Sequence, residues 1–247
     1  MNTPAPQSMG LLERVSRAIR SATEDRLLKE AADIDLRPSE FYQFYKEIQS
    51  EPDRSLAIVS FSYIDDRLRE AFSLNLNPGI TGNIKSLMGP LGPLGTSGSL
   101  VQMAAGLYWI QDETYQSLGL LRKIRNEFAH KPFSKGFEDT KINGLLSSMP
   151  RIENRLIAVS PQEFIASSSM TQRERFLVRS IMACYSSLAE LSYAPMAQRM
   201  GLHPMATIGL EQHRKPETLK QLSHAASELV VELLSVRKGG GDEKEKA

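Results

Sequence analysis

Arg125, Asn126 and His130 stand in the run Leu121-Arg122-Lys123-Ile124-Arg125-Asn126-Glu127-Phe128-Ala129-His130, where polar function is concentrated on a strongly helical background. The Arg-Asn-x-x-x-His spacing carries the equipment of a metal-independent ribonuclease. An imidazole can take the proton from an RNA 2′-hydroxyl that attacks its own phosphate, and a guanidinium can neutralise the charge developing there. His130 would be the base and Arg125 the cation. At about 100° per residue, Arg122, Asn126 and His130 share one helical face, while Arg125 lies about 140° round from His130. One helix therefore does not aim Arg125 and His130 at one phosphate, but two copies packed antiparallel across a dimer axis would build such a site from both subunits. The same residues also have a structural role open to them. A histidine in the last turn can donate to free carbonyls and complement the helix dipole, and Asn126 can bond locally.

Charge around the element has the sign that RNA requires. Residues 122 to 141 hold Arg122, Lys123, Arg125, Lys131, Lys135 and Lys141 against Glu127, Glu138 and Asp139. Arg122, Lys123, Lys131 and Lys135 are the candidate nucleic-acid contacts. Beyond this window the net charge of +1 gives no general attraction to nucleic acid. His203, His213 and His224 are scattered without ligand spacing, and a lone cysteine, Cys184, rules out a multi-cysteine zinc site. No metal is expected. The run Gly89-Pro-Leu-Gly-Pro-Leu-Gly-Thr-Ser-Gly98 resembles a phosphate cradle, but no lysine follows Gly95-Thr96 as the Walker pattern demands, so no nucleotide or other cofactor is expected.

The elements that must position these residues are helices throughout. Hydrophobic residues at 41% and charged residues at 24% are ordinary globular usage. Leu11, Leu12, Val15 and Ile19 make one apolar face of a first helix with Arg14, Arg17 and Arg20 turned away, a surface for packing on the body or on a partner. A short helix follows Pro38 with Phe41, Phe44, Tyr45 and Ile48 as its stripe. Ser50-Glu51-Pro52-Asp53 reads as the capped start of a long helix through Leu56, Val59, Tyr63, Ile64, Arg67 and Leu68, stopped by Asn75-Leu76-Asn77-Pro78-Gly79. The glycine-proline run is a loop. Helical periodicity resumes from Leu100 to Ile110, and Asp112 caps the motif helix, which Pro132 cannot let continue far. Further helices are predicted over 138–158, over 171–191 behind the capping box Thr171-Gln172-Arg173-Glu174, and from Pro216 to Val236. The fold class is all-α, a multi-helix bundle with a disordered C-terminal tail. The N-terminal residues lack the apolar core of a signal peptide and no run approaches a membrane span, so a cytoplasmic protein with no membrane association is expected.

Asp53-Arg54-Ser55-Leu56-Ala57-Ile58-Val59, Tyr63-Ile64-Asp65-Asp66-Arg67-Leu68, Gly92-Pro93-Leu94-Gly95-Thr96 and Ile124-Arg125-Asn126-Glu127-Phe128-Ala129-His130, in that order, resemble the landmarks of the mannitol operon repressor family. Gly136-Phe137-Glu138-Asp139 and Arg173-Glu174-Arg175-Phe176-Leu177 are similar to its later helices. The Arg-Asn-x-x-x-His element is also similar to that of the HEPN superfamily, whose helical domains include metal-independent RNases and non-catalytic members. The resemblance implies a helical domain over 35–192, with an amphipathic extension over 1–34, a helical C-terminal extension over 193–236 and a disordered tail over 237–247. It further implies a regulator that acts in transcriptional repression through protein partners. The alternative is a HEPN-like metal-independent ribonuclease of toxin or defence type, with Arg125, Asn126 and His130 catalytic. Expected partners are a second copy of the chain and either a transcription regulator or an antitoxin, with RNA as the ligand of the alternative. Direct DNA binding comes third. Its one trace is the Ala-x-x-x-Gly spacing of Ala197 and Gly201, after which Pro204 and Met205 to Leu210 offer few base-reading side chains.

Overall fold

A computed structural model describes residues 11–76, 84–130, 136–150, 170–208, 210 and 212–240. Among them are nine α-helices and no strand: α1 (Leu11–Ala31), α2 (Pro38–Ile48), α3 (Asp53–Asn75), α4 (Ile84–Met88), α5 (Ser97–Gly106), α6 (Asp112–His130), α7 (Thr140–Ser147), α8 (Gln172–Arg199) and α9 (Glu217–Gly240). Two 3₁₀ turns, Gly136–Glu138 and Gln212–Arg214, complete the order. The fold is an all-α bundle. None of the described helices is long and apolar enough to cross a membrane.

The bundle is built round α8, in which every residue from Phe176 to Leu191 is buried. A helix covered on all sides needs neighbours on all sides, and α8 has them in α3, α6, α7 and α9, with α2 packed on α9 and α3. The predicted capping box opens it: Thr171 accepts from the Glu174 N–H while the Glu174 carboxylate accepts from the Thr171 N–H. Its far end explains the Ala197 and Gly201 spacing. Gly201 takes φ +71°, its N–H donates to the Gln198 carbonyl at 3.0 Å, and the Leu202 N–H donates to the Ala197 carbonyl at 3.0 Å. This is a Schellman stop, which needs a residue free of Cβ strain at the left-handed position. Residues 204–208 form turns, so among the described residues no helix of a helix-turn-helix follows directly on this stop.

Several boundaries depart from expectation for local reasons. Ser50 does not cap α3, because its hydroxyl donates back to the Glu47 carbonyl and closes α2; Pro52 holds the cap position without a side-chain bond. The buried face of α3 runs through Leu56, Ala57, Ser60, Phe61, Ile64, Leu68 and Phe72, leaving Val59 exposed. α5 ends at Gly106, since Tyr108 turns left-handed at φ 57° and directs Trp109 and Ile110 into the core. α7 stops at Ser147, and the rest of the helix predicted to 158 lies, from 151 on, outside the described residues. α9 runs to Gly240, so residues 237–240 of the predicted tail are helical; 241–247 lie outside the described residues. α8 continues unbroken through 192, where the sequence suggested an extension beginning.

The apolar face of α1, expected to pack on the body or on a partner, is split along its length. Leu27 and Ala31 in its second half are fully buried, but Leu12, Val15 and Ile19 are 84, 47 and 62% exposed. The stripe does not pack on the body.

Cys184 is fully buried on α8, and burial pushes its thiol up to about 12. The unfolded thiol ionises near ~8.5, so ionisation favours the unfolded chain. The contribution of the protonated thiol is complete below that value and is lost as pH rises through about 12. At pH 8 a thiol reagent is expected to modify native protein on the order of a hundredfold more slowly than unfolded protein. Equal rates would show that α8 opens readily.

Candidate functional site

The motif lies at the C-terminal end of α6, whose core face is Thr114, Ser117, Leu118, Leu121, Ile124 and Phe128. α3 runs antiparallel to it: Arg54 at the start of α3 donates to the Ala129 carbonyl at 3.4 Å, and Phe72 at its end meets Trp109 just before α6 at 5.1 Å. The last turn of α6 is thus served by Arg54. Among the described residues the His130 imidazole makes no hydrogen bond, and the residue is exposed.

Below the motif, landmarks far apart in sequence converge. The Asp53 carboxylate accepts the Phe137 N–H at 3.0 Å and is paired with Arg173, whose guanidinium also donates to the carbonyls of Gln49 and Glu51. Gly136 sits at φ +69°, and a Cβ there would lie 2.3 Å from Asp53 Oδ2. Only glycine allows that approach. Phe137 then stacks on Phe176 at 4.5 Å and meets Phe128 edge-on at 5.1 Å. This knot fixes the end of the motif helix.

A second knot holds the glycine-proline loop. Arg69, paired with Asp65 at 2.9 Å, donates to the carbonyls of Met88 at 3.2 Å and Gly95 at 3.1 Å. A Cβ on Gly92 would lie 2.2 Å from two carbonyl oxygens, and one on Gly95 2.3 Å from another. The glycines serve a tight self-bonded turn, closed by the Thr96 side chain capping α5 through the Ser99 N–H.

Arg125 is half-buried; its Nη1 donates to Asn126 Oδ1 at 3.1 Å, and its Nε is buried with no partner. Arg125 and Asn126 are therefore brought together, and His130 is not joined to either. Arg122 and Lys123 point to the α5 side and make no ion pair with any described residue. Lys131 and Lys135 lie outside the described residues. Lys141 pairs with Glu127, removing one cation from the basic window.

The chain matches no known protein family, no curated protein and no solved structure.

Two features escaped the sequence reading. A cavity of about 540 Å³ lies between the end of α1, α3 and α8. Its arginines are engaged in the fold: Arg37, Glu70, Arg67 and Glu40 form a closed ring of ion pairs, and Arg199 donates to Asn75 at 2.7 Å. The other feature is a shallow groove of about 340 Å³ between α5 and α6. Its one sequence signal is Gly119, a glycine inside an otherwise strong helix.

Proposed function

We propose that the chain is a helical regulator of the mannitol operon repressor type, acting in transcriptional repression through protein contacts as a homodimer in the cytoplasm. The exposed Leu12, Val15 and Ile19 stripe of α1 carries this reading. Contiguous apolar side chains left in water on a helix held only at its other end mark an association surface. The spacing of Leu12, Val15, Ile19 and Ala22 is the three-four alternation of a two-helix seam, flanked by Ser16, Ala18 and Thr23. Arg14, Arg17 and Arg20 project from the opposite face, so a second copy of α1 meets the seam without like charges opposed. Deleting the gene is expected to raise a defined set of transcripts, with a sugar-alcohol uptake operon among them, and the wild-type gene to restore repression. An unchanged transcriptome contradicts the reading.

The imidazole of His130, exposed and without a bond to any described residue, favours a second reading, a HEPN-like metal-independent ribonuclease whose site is shared between two subunits. Its signature is RNA cleavage in the presence of a chelator, leaving 2′,3′-cyclic phosphate ends, with a loss of about 10² to 10⁴ in rate for His130→Ala. The bond between Arg125 and Asn126 is the weak point of this reading, because it turns the guanidinium toward its own helix.

A further inference from the structure

Resting on the reading of a regulator that works through protein contacts, we propose that the groove between α5 and α6 receives an acidic segment of a partner protein, with one apolar side chain of that segment seated over Gly119. The groove has an apolar part, where Val101 is buried, Leu120 is half-buried and Tyr115 is 38% exposed, and two exposed glutamines, Gln102 and Gln116, line it beside these. A Cβ on Gly119 would meet nothing within 4 Å, so the glycine leaves a depression in the surface of α6. Leucine or methionine, common on helices, would fill it. Among the described residues the rim carries charge of one sign. Arg122 and Lys123 line the groove, and among the described residues neither has an ion-pair partner and no carboxylate lines it. Gly98 brings α5 close enough that a Cβ there would lie 3.3 Å from the Arg122 guanidinium, so the backbone of α5 borders that side chain.

An apolar depression next to two unopposed cations suits a short acidic stretch bearing one apolar anchor. The anchor supplies burial, and the carboxylates satisfy charges the fold has left unsatisfied. A single strand of RNA fits less well. It presents a phosphate at every nucleotide and needs cations along the whole track, whereas this groove offers two cations adjacent in sequence.

The test uses the full-length protein and three fluorescent probes: the peptide Glu-Asp-Leu-Asp-Glu, its amide counterpart Gln-Asn-Leu-Asn-Gln, and a short oligouridylate. The acidic peptide is expected to bind in a salt-sensitive manner, at least about tenfold more tightly than the amide peptide. Gly119→Leu and the pair Arg122→Glu and Lys123→Glu are each expected to abolish that binding. Gly119→Leu removes a glycine from a helix interior, which raises helix propensity, so its melting temperature is expected to be no lower than wild type and lost binding cannot be ascribed to unfolding. Three results would overturn the proposal: no binding of the acidic peptide at millimolar concentration, unchanged binding by Gly119→Leu, or displacement of the peptide by oligouridylate at lower concentration than by unlabelled peptide. In cells, Gly119→Leu repressing as well as wild type would overturn the groove assignment while leaving the regulator reading intact. Absence of any derepression on gene deletion would remove the regulator reading itself.

Discussion

Replacing Glu190 by alanine is expected to cost on the order of 3 kcal/mol and to loosen the start of the motif helix, one of the largest single-residue effects in the molecule. Glu190 is 1% exposed on α8, and its carboxylate accepts the Gln111 N–H and the Thr114 hydroxyl, each at 2.9 Å. Gln111 precedes α6, and its carbonyl accepts the Tyr115 N–H, so it occupies the cap position. A helix N-terminus presents unpaired N–H groups and a positive dipole end, and a carboxylate from another helix answers both. Alanine removes the carboxylate that both donors share, one on buried Thr114 and one on half-buried Gln111, and adds a cavity. For a chain of this size the melting temperature is expected to fall by about 6–12 °C. Glu190→Gln is expected to lie between, since its amide oxygen can serve one donor while its NH₂ opposes the other. A thermal or urea melt reads all three proteins, and an alanine variant melting with wild type would show that α6 starts without this cap.

Glu190 also shows what the sequence could and could not announce. The helix from Asp112 to His130 was legible because its apolar period is strong, and Leu118, Leu121, Ile124 and Phe128 are buried as that period requires. The residue that caps it lies 79 positions away from Gln111 in sequence, on a helix whose own pattern is nearly featureless. α8 is buried on all faces, so periodicity predicts its existence and its capping box but not which side meets α6. The same limit applies to Asp53, Gly136 and Arg173. Each was a visible landmark, but their convergence on one knot is a tertiary fact. His130 was placed at a helix end by Pro132, correctly, and Arg54 serves the carbonyl there because α3 runs antiparallel to α6. The groove at Gly119 depends on how α5 crosses α6, which local composition does not encode.

The stripe on α1 is legible in its period, but the period leaves open whether the body or a partner covers it. An amphipathic period says that one face seeks apolar company, and says nothing of whether that company belongs to the same chain. Docking is decided at the other end, by Leu27 and Ala31 in the core and by Arg214 paired to Glu24 at 3.2 Å. The first turns carry Leu12, Val15 and Ile19 out into solvent.

Substituting those three residues together, Leu12→Gln, Val15→Gln and Ile19→Gln, tests the account at its centre. In the single chain these positions are exposed and tolerate polar replacement within about 0.5 kcal/mol, so the triple variant is expected to keep its helical content and cooperative melt, while only wild type gains melting temperature as its concentration rises. What changes is association. At low micromolar concentration wild type is expected to sediment as a dimer and the triple variant as a monomer. The decisive measurement is the transcript level of the derepressed operon in a deletion strain complemented with wild type, the triple variant or His130→Ala at equal protein abundance. The account predicts full repression by wild type and by His130→Ala, and none by the triple variant. Repression by the triple variant equal to wild type, or its loss in His130→Ala alone together with chelator-resistant RNA cleavage, would contradict it.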